Sequence, residues 1–370
     1  MGFTLTIEKL IHGGMGLGFC EGKPIFVPFS APGDILEVEL SGDFGSYAEA
    51  KIQRIVTPST LRVDPPCPYF TQCGGCQWQH LASDAQLVWK RNLVLEAFTR
   101  IAGLPEAEIS PLVADCLPSS KPFHYRNRIQ LKKSEAGDIG FFQARTHKVV
   151  PIEACLIADE RINTALAKRR EEFLRLPVAQ FELQAQAQGQ AVLKGELAEN
   201  YDFSQVNDGQ NAVLKALLLD EVKQMGEVQH VLELYAGAGN FSFPLAALAR
   251  QVTACDADKK AISYAKMKQN EQKIENISFF SLTSKEMMQK FKKKADFIVL
   301  DPPRKGASEV IRAIAQCAAE KIVYISCNPS TLARDAKALM KCGYKLEKII
   351  PLDMFPQTYH VETFSVFAPT

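Results

Sequence analysis

The 370-residue chain contains no run of about eighteen apolar residues, the length a membrane-spanning helix needs. It also has no basic N-terminal segment leading into an apolar stretch and a cleavage site. Both absences predict a cytoplasmic protein that does not enter a membrane. Net charge is lacking too: 43 Lys and Arg against 42 Asp and Glu leave +1, so the chain as a whole is neither strongly basic nor strongly acidic. That balance still leaves room for a local basic face that binds nucleic acid. No long internal repeat or disordered tract is present. What the chain does have is ten cysteines in an otherwise ordinary composition of 46% hydrophobic and 23% charged residues. In a reducing compartment these are not a disulfide framework, so clustered ones are candidates for metal or for chemistry. The length predicts about two or three domains.

Residues 1–57 alternate apolar and polar side chains in short runs, "FTLTIEKL", "KPIFVPF" and "DILEVELSG", separated by "HGGMG" and "SAPGD", which predicts a small β-barrel. "VPFSAPGDILEVEL" after a glycine-rich hairpin resembles the TRAM domain, an OB-like barrel attached to RNA-modifying enzymes. "PSTLRVDPP" reads as a linker. The loop "CPYFTQCGGCQWQH" follows, and a helix is expected after Ser83. Residues 58–205 form a central, β-rich domain in which the alternating glutamines of "ELQAQAQGQAVL" are expected on one solvated strand face. From 206 to 370, apolar strand-like runs alternate with helical stretches, the signature of an α/β domain with a parallel sheet.

"HVLELYAGAGNFSFPLAALAR" joins a buried strand, a glycine turn and an apolar helix. Gly237 and Gly239 permit close backbone approach to a ligand, and the helix start offers unpaired N–H groups. Asp256, at the end of the next apolar run, is placed to accept from ribose hydroxyls. A dinucleotide fingerprint would need a third glycine where Ser242 stands. "E-x-x-x-G-x-G" followed by such an acid is instead the arrangement of class I S-adenosylmethionine methyltransferases, with a Rossmann-like fold.

Two further strands end in polar residues. "ADFIVLDPPRKG" exposes Asp301 at its tip, and "KIVYISCNPSTLARD" places Cys327 at the next. A thiol beside a methyl donor has a use when the acceptor is C5 of a pyrimidine, a carbon too weakly nucleophilic to react unaided. Thiolate attack at C6 pushes electron density onto C5, after which a base removes the C5 proton. Of Asp353 and Glu362 near the C-terminus, Glu362 is the better candidate for that base. Amino-methylating enzymes carry an aromatic residue after Asp-Pro-Pro, where this chain has Arg304, and they leave Cys327 without a role. Cytosine methyltransferases place their cysteine after proline, whereas Cys327 follows Ser326. Cys20, Cys116, Cys255, Cys317 and Cys342 read as small buried hydrophobes. "KFKKK" around Lys292 reads as a solvated helix face.

The TRAM-like start, "CPYFTQCGGCQWQHL", "FSQVN", "LELYAGAGNFS", "DPPRKG", "SCNPSTLARD" and "DMFPQTYHVE" occur in this order along nearly the whole chain. Together they resemble the RNA 5-methyluridine methyltransferase family, in particular the branch acting on large-subunit (23S) ribosomal RNA. The resemblance implies that Cys327 is the C6 nucleophile and Glu362 the base. It also implies that Gln205, Tyr235, Asn240, Asp256 and Asp301 contact S-adenosylmethionine. Where the family usually has an amide or acidic side chain near the adenine, this chain has Thr283, which departs from the pattern. An RNA partner and a monomeric enzyme are expected, with transfer RNA as an alternative substrate and a non-catalytic iron–sulfur RNA-binding protein as an alternative class.

Cys67, Cys73 and Cys76 lie in the loop, and "IEACLIAD" supplies a fourth thiol, Cys155. Four thiolates bind either zinc or an iron–sulfur cluster. Only Cys73 and Cys76 form the C-x-x-C pair common in zinc sites, and the family resemblance favours a [4Fe-4S] cluster acting as a structural clasp.

Overall fold

In the computed structural model, which describes residues 2–186, 189–193 and 205–370, the alternating N-terminal runs pair as six strands. They are β1 (Phe3–Thr6), β2 (Lys9–Leu10), β3 (Gly16–Cys20), β4 (Lys23–Val27), β5 (Ile35–Asp43) and β6 (Ala48–Thr57), ordered β1-β5-β6-β4-β3-β2. The period of two sends Leu5, Ile25, Val27, Leu36, Val38 and Ala50 to one side, where they form a single buried cluster. The long β5–β6 pair contains three register shifts, and such bulges bend strands, so the sheet curls over its own core. Asp34 ties the following linker to this sheet. Fully buried, it accepts from the backbone N–H groups of Ala31 (2.6 Å) and Ser59 (2.9 Å) and pairs with Arg62 at 2.7 Å. Burial alone would raise its pKa, but the Arg62 guanidinium and the two N–H donors outweigh it and hold the carboxyl below its usual range.

A second, antiparallel sheet comprises β7 (Arg128–Lys133), β8 (Ile139–Phe142), β9 (Val149–Pro151), β10 (Gln180–Ala185) and β11 (Ala191–Leu193), ordered β11-β10-β7-β8-β9. Ile129, Leu131, Phe181 and Leu183 pack against Ile162 and Leu166 of helix Glu160–Lys168. The glutamine run does not make one solvated face. Gln184 is buried, because β10 is an interior strand pairing it with Arg128 on one side and Val192 on the other. Gln190 is exposed, and Gln188 lies outside the described residues.

The chain divides into two units, each assembled from separated stretches. Both sheets above belong to Met1–Leu93, Lys121–Ala198 and Phe355–His360; the other unit takes Val94–Ser120, Glu199–Met354 and Val361–Thr370. The helix anticipated after Ser83 runs Ser83–Ala97.

The second unit is built on seven strands: β12 (Val228–Leu234), β13 (Ala249–Asp256), β14 (Ile277–Ser281), β15 (Phe297–Leu300), β16 (Lys321–Ser326), β17 (Tyr344–Leu352) and β18 (Glu362–Pro369). Their order is β14-β13-β12-β15-β16-β18-β17, with the first five parallel and β18 antiparallel to both neighbours. All four residues of β15, Phe-Ile-Val-Leu, are buried, as expected of a strand covered on both faces. Asn207, Asp258, Thr283 and Asn328 each cap the start of a connecting helix by accepting from a first-turn N–H, worth about 1 kcal/mol apiece. Strand order reverses between β12 and β15, and ligands of open α/β sheets bind at the carboxyl ends beside such a reversal.

Candidate active site

Sheet register alone brings the key residues together. Leu234 of β12 pairs with Cys255 on one side and Leu300 on the other, so Tyr235, Asp256 and Asp301 leave three adjacent strands at the same level. Further along the same edge, Ser326 of β16 pairs with Thr363 of the antiparallel β18. One step beyond that pair on the two strands come Cys327 and Glu362, near enough for the Glu362 charge to act on the thiol. Asp353, the other acid weighed from the sequence, lies past the end of β17.

The turn after β12 is held in an uncommon backbone conformation, with φ of 63° at Tyr235, 54° at Gly237 and 85° at Gly239. Such strain persists where the surroundings enforce it, and it clusters at ligand sites. Gly237 N–H donates to Asp256 Oδ2 at 2.9 Å, and Asp258 N–H donates to Asp256 Oδ1 at 2.8 Å. The carboxylate is therefore fixed beside the turn with lone pairs to spare. A Cβ on Gly239 would lie 2.7 Å from the Phe243 ring, so only glycine fits. Asn240 exchanges reciprocal amide hydrogen bonds with Asn211, at 2.9 and 3.0 Å. Gln205 Nε2 donates to Asp301 Oδ2 at 3.1 Å. Phe203 and Ser204 of the same "FSQVN" motif lie outside the described residues.

Glu233, Asp301 and Glu362 crowd this edge of the sheet, and the pKa values of all three are raised. Glu233, the acid of E-x-x-x-G-x-G, was given no role by the sequence reading, although a carboxylate inside the apolar run "HVLELY" was the signal. It is buried and pushed up to about 8, by burial first and then by the charges of Asp301 and Asp256, while Ser242 donates a hydrogen bond to it. Burial likewise raises Asp301, against the opposing Gln205 hydrogen bond. Glu362 is raised well above its usual value by burial and by the charge of Asp301. Among the described residues its buried Oε1 has no hydrogen-bond partner, a rare condition that an incoming ligand can relieve. The Cys327 thiol is pushed up to about 11 by burial, then by Glu362 and Asp301, with Arg304 pulling the other way. An acid-rich crevice of this kind fits a cationic ligand, since positive charge favours the ionised form of every group in it.

The other expected positions fall as follows. Thr283 caps helix Ser284–Lys290: its Oγ1 accepts from Glu286 N–H (3.2 Å) and donates to Glu286 Oε2 (2.8 Å), so its hydroxyl is already engaged. The "KFKKK" run is not helical. That helix ends at Lys290, and Phe291 turns extended as the chain heads for β15. Of the cysteines read as inert, Cys116 and Cys255 are buried and Cys20 and Cys317 partly so, but Cys342 is exposed where it closes helix Pro329–Lys341.

Cys67, Cys73, Cys76 and Cys155 line a single cavity of about 80 Å³. Burial first, with the neighbouring cysteines adding to it, pushes Cys73 up to about 11 and Cys76 up to about 12. Among the described residues no group of three or more His, Cys, Asp or Glu is arranged to hold a metal ion. The expected metal site is thus not a preformed coordination shell.

The family description for tRNA (uracil-5-)-methyltransferases matches residues 195–368. An uncharacterized RNA methyltransferase of Bdellovibrio bacteriovorus is 36% identical over 98% of this chain and 93% of its own length. A 23S rRNA (uracil(1939)-C(5))-methyltransferase of Pseudomonas fluorescens is 31% identical over 98% of this chain and 91% of its own. The crystal structure of Pyrococcus abyssi tRNA (uracil-54, C5)-methyltransferase in complex with S-adenosyl-L-homocysteine aligns over 100% of both chains, with a TM-score of 0.74 and 25% identity. Sheet order, strained glycine turn and flanking acids define a class I S-adenosylmethionine-dependent methyltransferase. More narrowly, the chain belongs to the RNA (uracil-C5)-methyltransferase family.

Proposed function

We propose that the protein methylates C5 of a specific uridine in 23S ribosomal RNA through a covalent adduct to Cys327. The observation that supports this reading is the Ser326–Thr363 pairing, one residue from Cys327 and Glu362, together with a Glu362 Oε1 that is buried and has no hydrogen-bond partner among the described residues. Gly237, Gly239, Asn240 and Asp256 would hold the adenosyl portion of S-adenosylmethionine, with Tyr235, Gln205 and Asp301 toward its reacting end. That cofactor supplies an electrophilic methyl group.

Cys327 gives up its proton, and its sulfur bonds to C6 of the uracil while the C5–C6 π electrons move toward O4. C5 would then take the methyl group from the sulfonium, whose S–CH3 bond breaks to leave a neutral thioether. Glu362 removes the C5 proton, the C5–C6 double bond re-forms, and the bond to Cys327 breaks to release the thiolate. A uridine stacked in folded RNA must first be flipped out to reach this site. Burial and the charge of Asp301 raise the pKa of Glu362, which increases its proton affinity as a base.

Ribosomal rather than transfer RNA is favoured because relatives bearing the 23S description align over nearly the whole chain at 30 and 31% identity. The transfer-RNA reading rests on the family description matched over residues 195–368 and on the 25%-identical archaeal structure. Incubation with labelled S-adenosylmethionine and separate 23S and transfer RNA transcripts distinguishes them. Label at a single uridine C5 in 23S RNA is expected; label in transfer RNA alone would overturn the assignment.

We also infer that Cys67, Cys73, Cys76 and Cys155 are the ligands of a [4Fe-4S] cluster. The four cysteines line one cavity, and four cysteine thiolates are the ligand set of such a cluster. Bound, the group would cross-link the loop at Cys67–Cys76 to the segment at Cys155.

A further inference from the structure

β15 and β16 are paired as far as Leu300 and Tyr324, but the Asp301 loop and the Cys327 strand end run on beyond that ladder, so their spacing also depends on what joins them there. One face of helix Pro329–Lys341 does so. At its start, Asn328 Nδ2 and Thr331 Oγ1 both donate to the Arg304 carbonyl, at 3.1 and 3.2 Å. A turn further on, Arg334 Nη2 donates to the Lys305 carbonyl at 2.9 Å. Asp335 Oδ2 accepts from Ala307 N–H at 2.7 Å and from the Tyr324 hydroxyl at 2.8 Å. Positions 328, 331 and 335 share a face at the helical period.

Asp335 is 1% exposed, and its Oδ1 pairs with the Arg334 guanidinium at 2.8 Å, so the buried carboxylate is fully partnered. Its two Oδ2 donors come from the two parts that must be aligned. Tyr324 lies on β16, three residues before Cys327, while Ala307 ends the loop that begins at Asp301. Gly306 lets that loop lie flat on the carboxylate: its φ is 78°, and a Cβ there would sit 2.5 Å from Asp335 Oδ2.

We propose that Asp335 is a positioning residue for methyl transfer. It touches no reacting atom. By holding β16 and the Asp301 loop on one oxygen, it fixes Cys327 relative to Asp301, and so relative to the methyl donor and the flipped base. The inference rests on Cys327 being the nucleophile. The turn at Gly237–Asn240 and Asp256, on the far side of β12, are outside the latch.

The test measures the rate of covalent adduct formation with 5-fluorouridine-substituted 23S RNA plus S-adenosylmethionine, alongside S-adenosylmethionine affinity by calorimetry. For Asp335→Ala, adduct formation is expected to slow by about 10- to 100-fold, as for small misplacements of reacting groups, with cofactor affinity unchanged. Asp335→Asn is expected to recover most of the rate, because its amide oxygen still accepts from both Ala307 and Tyr324. Gly306→Ala pushes the loop away from the other side and is expected to show the same split, which keeps the test open if Asp335→Ala does not fold. A folded Asp335→Ala enzyme with the wild-type adduct rate overturns the proposal. So does an Asp335→Asn enzyme as slow as Asp335→Ala, which would assign the effect to charge. Cys327→Ala in the same assay separates the two readings: an adduct that persists there removes the nucleophile, whereas its loss there with a normal rate in Asp335→Ala removes only the latch.

Discussion

At Glu362, burial and an unpartnered oxygen coincide with a neighbouring thiol, and its two roles can be pulled apart. Its charge raises the Cys327 thiol, so Glu362→Gln should leave adduct formation intact or faster. The amide cannot take the C5 proton, and the methylated adduct should therefore accumulate on ordinary uridine RNA. A slow-migrating protein–RNA band on a denaturing gel, without any fluorine, is the expected sign; normal turnover would contradict it. Glu233 makes a separate stability prediction. Its folded pKa of about 8 lies above the unfolded value of 4.5, so the unfolded state ionises first as pH rises. The stability it contributes is present below pH 4.5 and lost progressively toward pH 8, on the order of 4 kcal/mol in all. Thermal melts of cofactor-free Glu233→Gln and wild type should coincide near pH 4.5 and diverge by pH 8, with the variant more stable. At this scale the strand tips were legible: Asp301 and Cys327 each follow directly on the strand expected to present them. It was silent on Glu233 and Asp335, whose roles depend on burial among groups far away in the chain.

Among the elements, the strand–turn–helix from β12 onward was readable because glycine spacing and apolar periodicity have direct conformational meaning. Gly239 carries a further consequence. Alanine there would meet both a positive φ and the Phe243 ring, a strain of about 1–3 kcal/mol, so Gly239→Ala should weaken S-adenosylmethionine binding roughly 5- to 100-fold. Calorimetry on the folded variant checks this, and unaltered affinity would mean that the turn adjusts freely. The pairing of β18 between β16 and β17 was not readable, since an apolar C-terminal run does not announce its neighbours. That pairing is what sets Glu362 against Cys327. Gln184 was misplaced for a related reason: its alternating pattern is real, but its strand is interior. The "KFKKK" charges looked helical by composition, yet the chain must leave the helix at Lys290 to enter β15.

On the scale of the whole molecule, the N-terminal alternation led to the expectation of a small β-barrel where the structure has a six-stranded sheet, and the late α/β alternation to a parallel sheet, which has seven strands of which five are parallel. The discontinuous make-up of both units was hidden, because contacts between distant segments leave no local mark on the sequence. The four cysteines around one cavity lead to a prediction of this scale. Anaerobically purified protein should contain iron and sulfide and absorb visible light, and Cys73→Ser should lose both the colour and part of the thermal stability. Colourless protein carrying zinc would contradict the cluster. The central claim concerns Cys327, and the most direct measurement is peptide mapping of the complex formed with 5-fluorouridine-substituted 23S RNA and S-adenosylmethionine. Fluorine cannot leave as a proton, so the account expects a stable adduct, with the methylated fluorouridine on the peptide that contains Cys327. An adduct on another residue, or methyl transfer that continues in Cys327→Ala without any adduct, would contradict it.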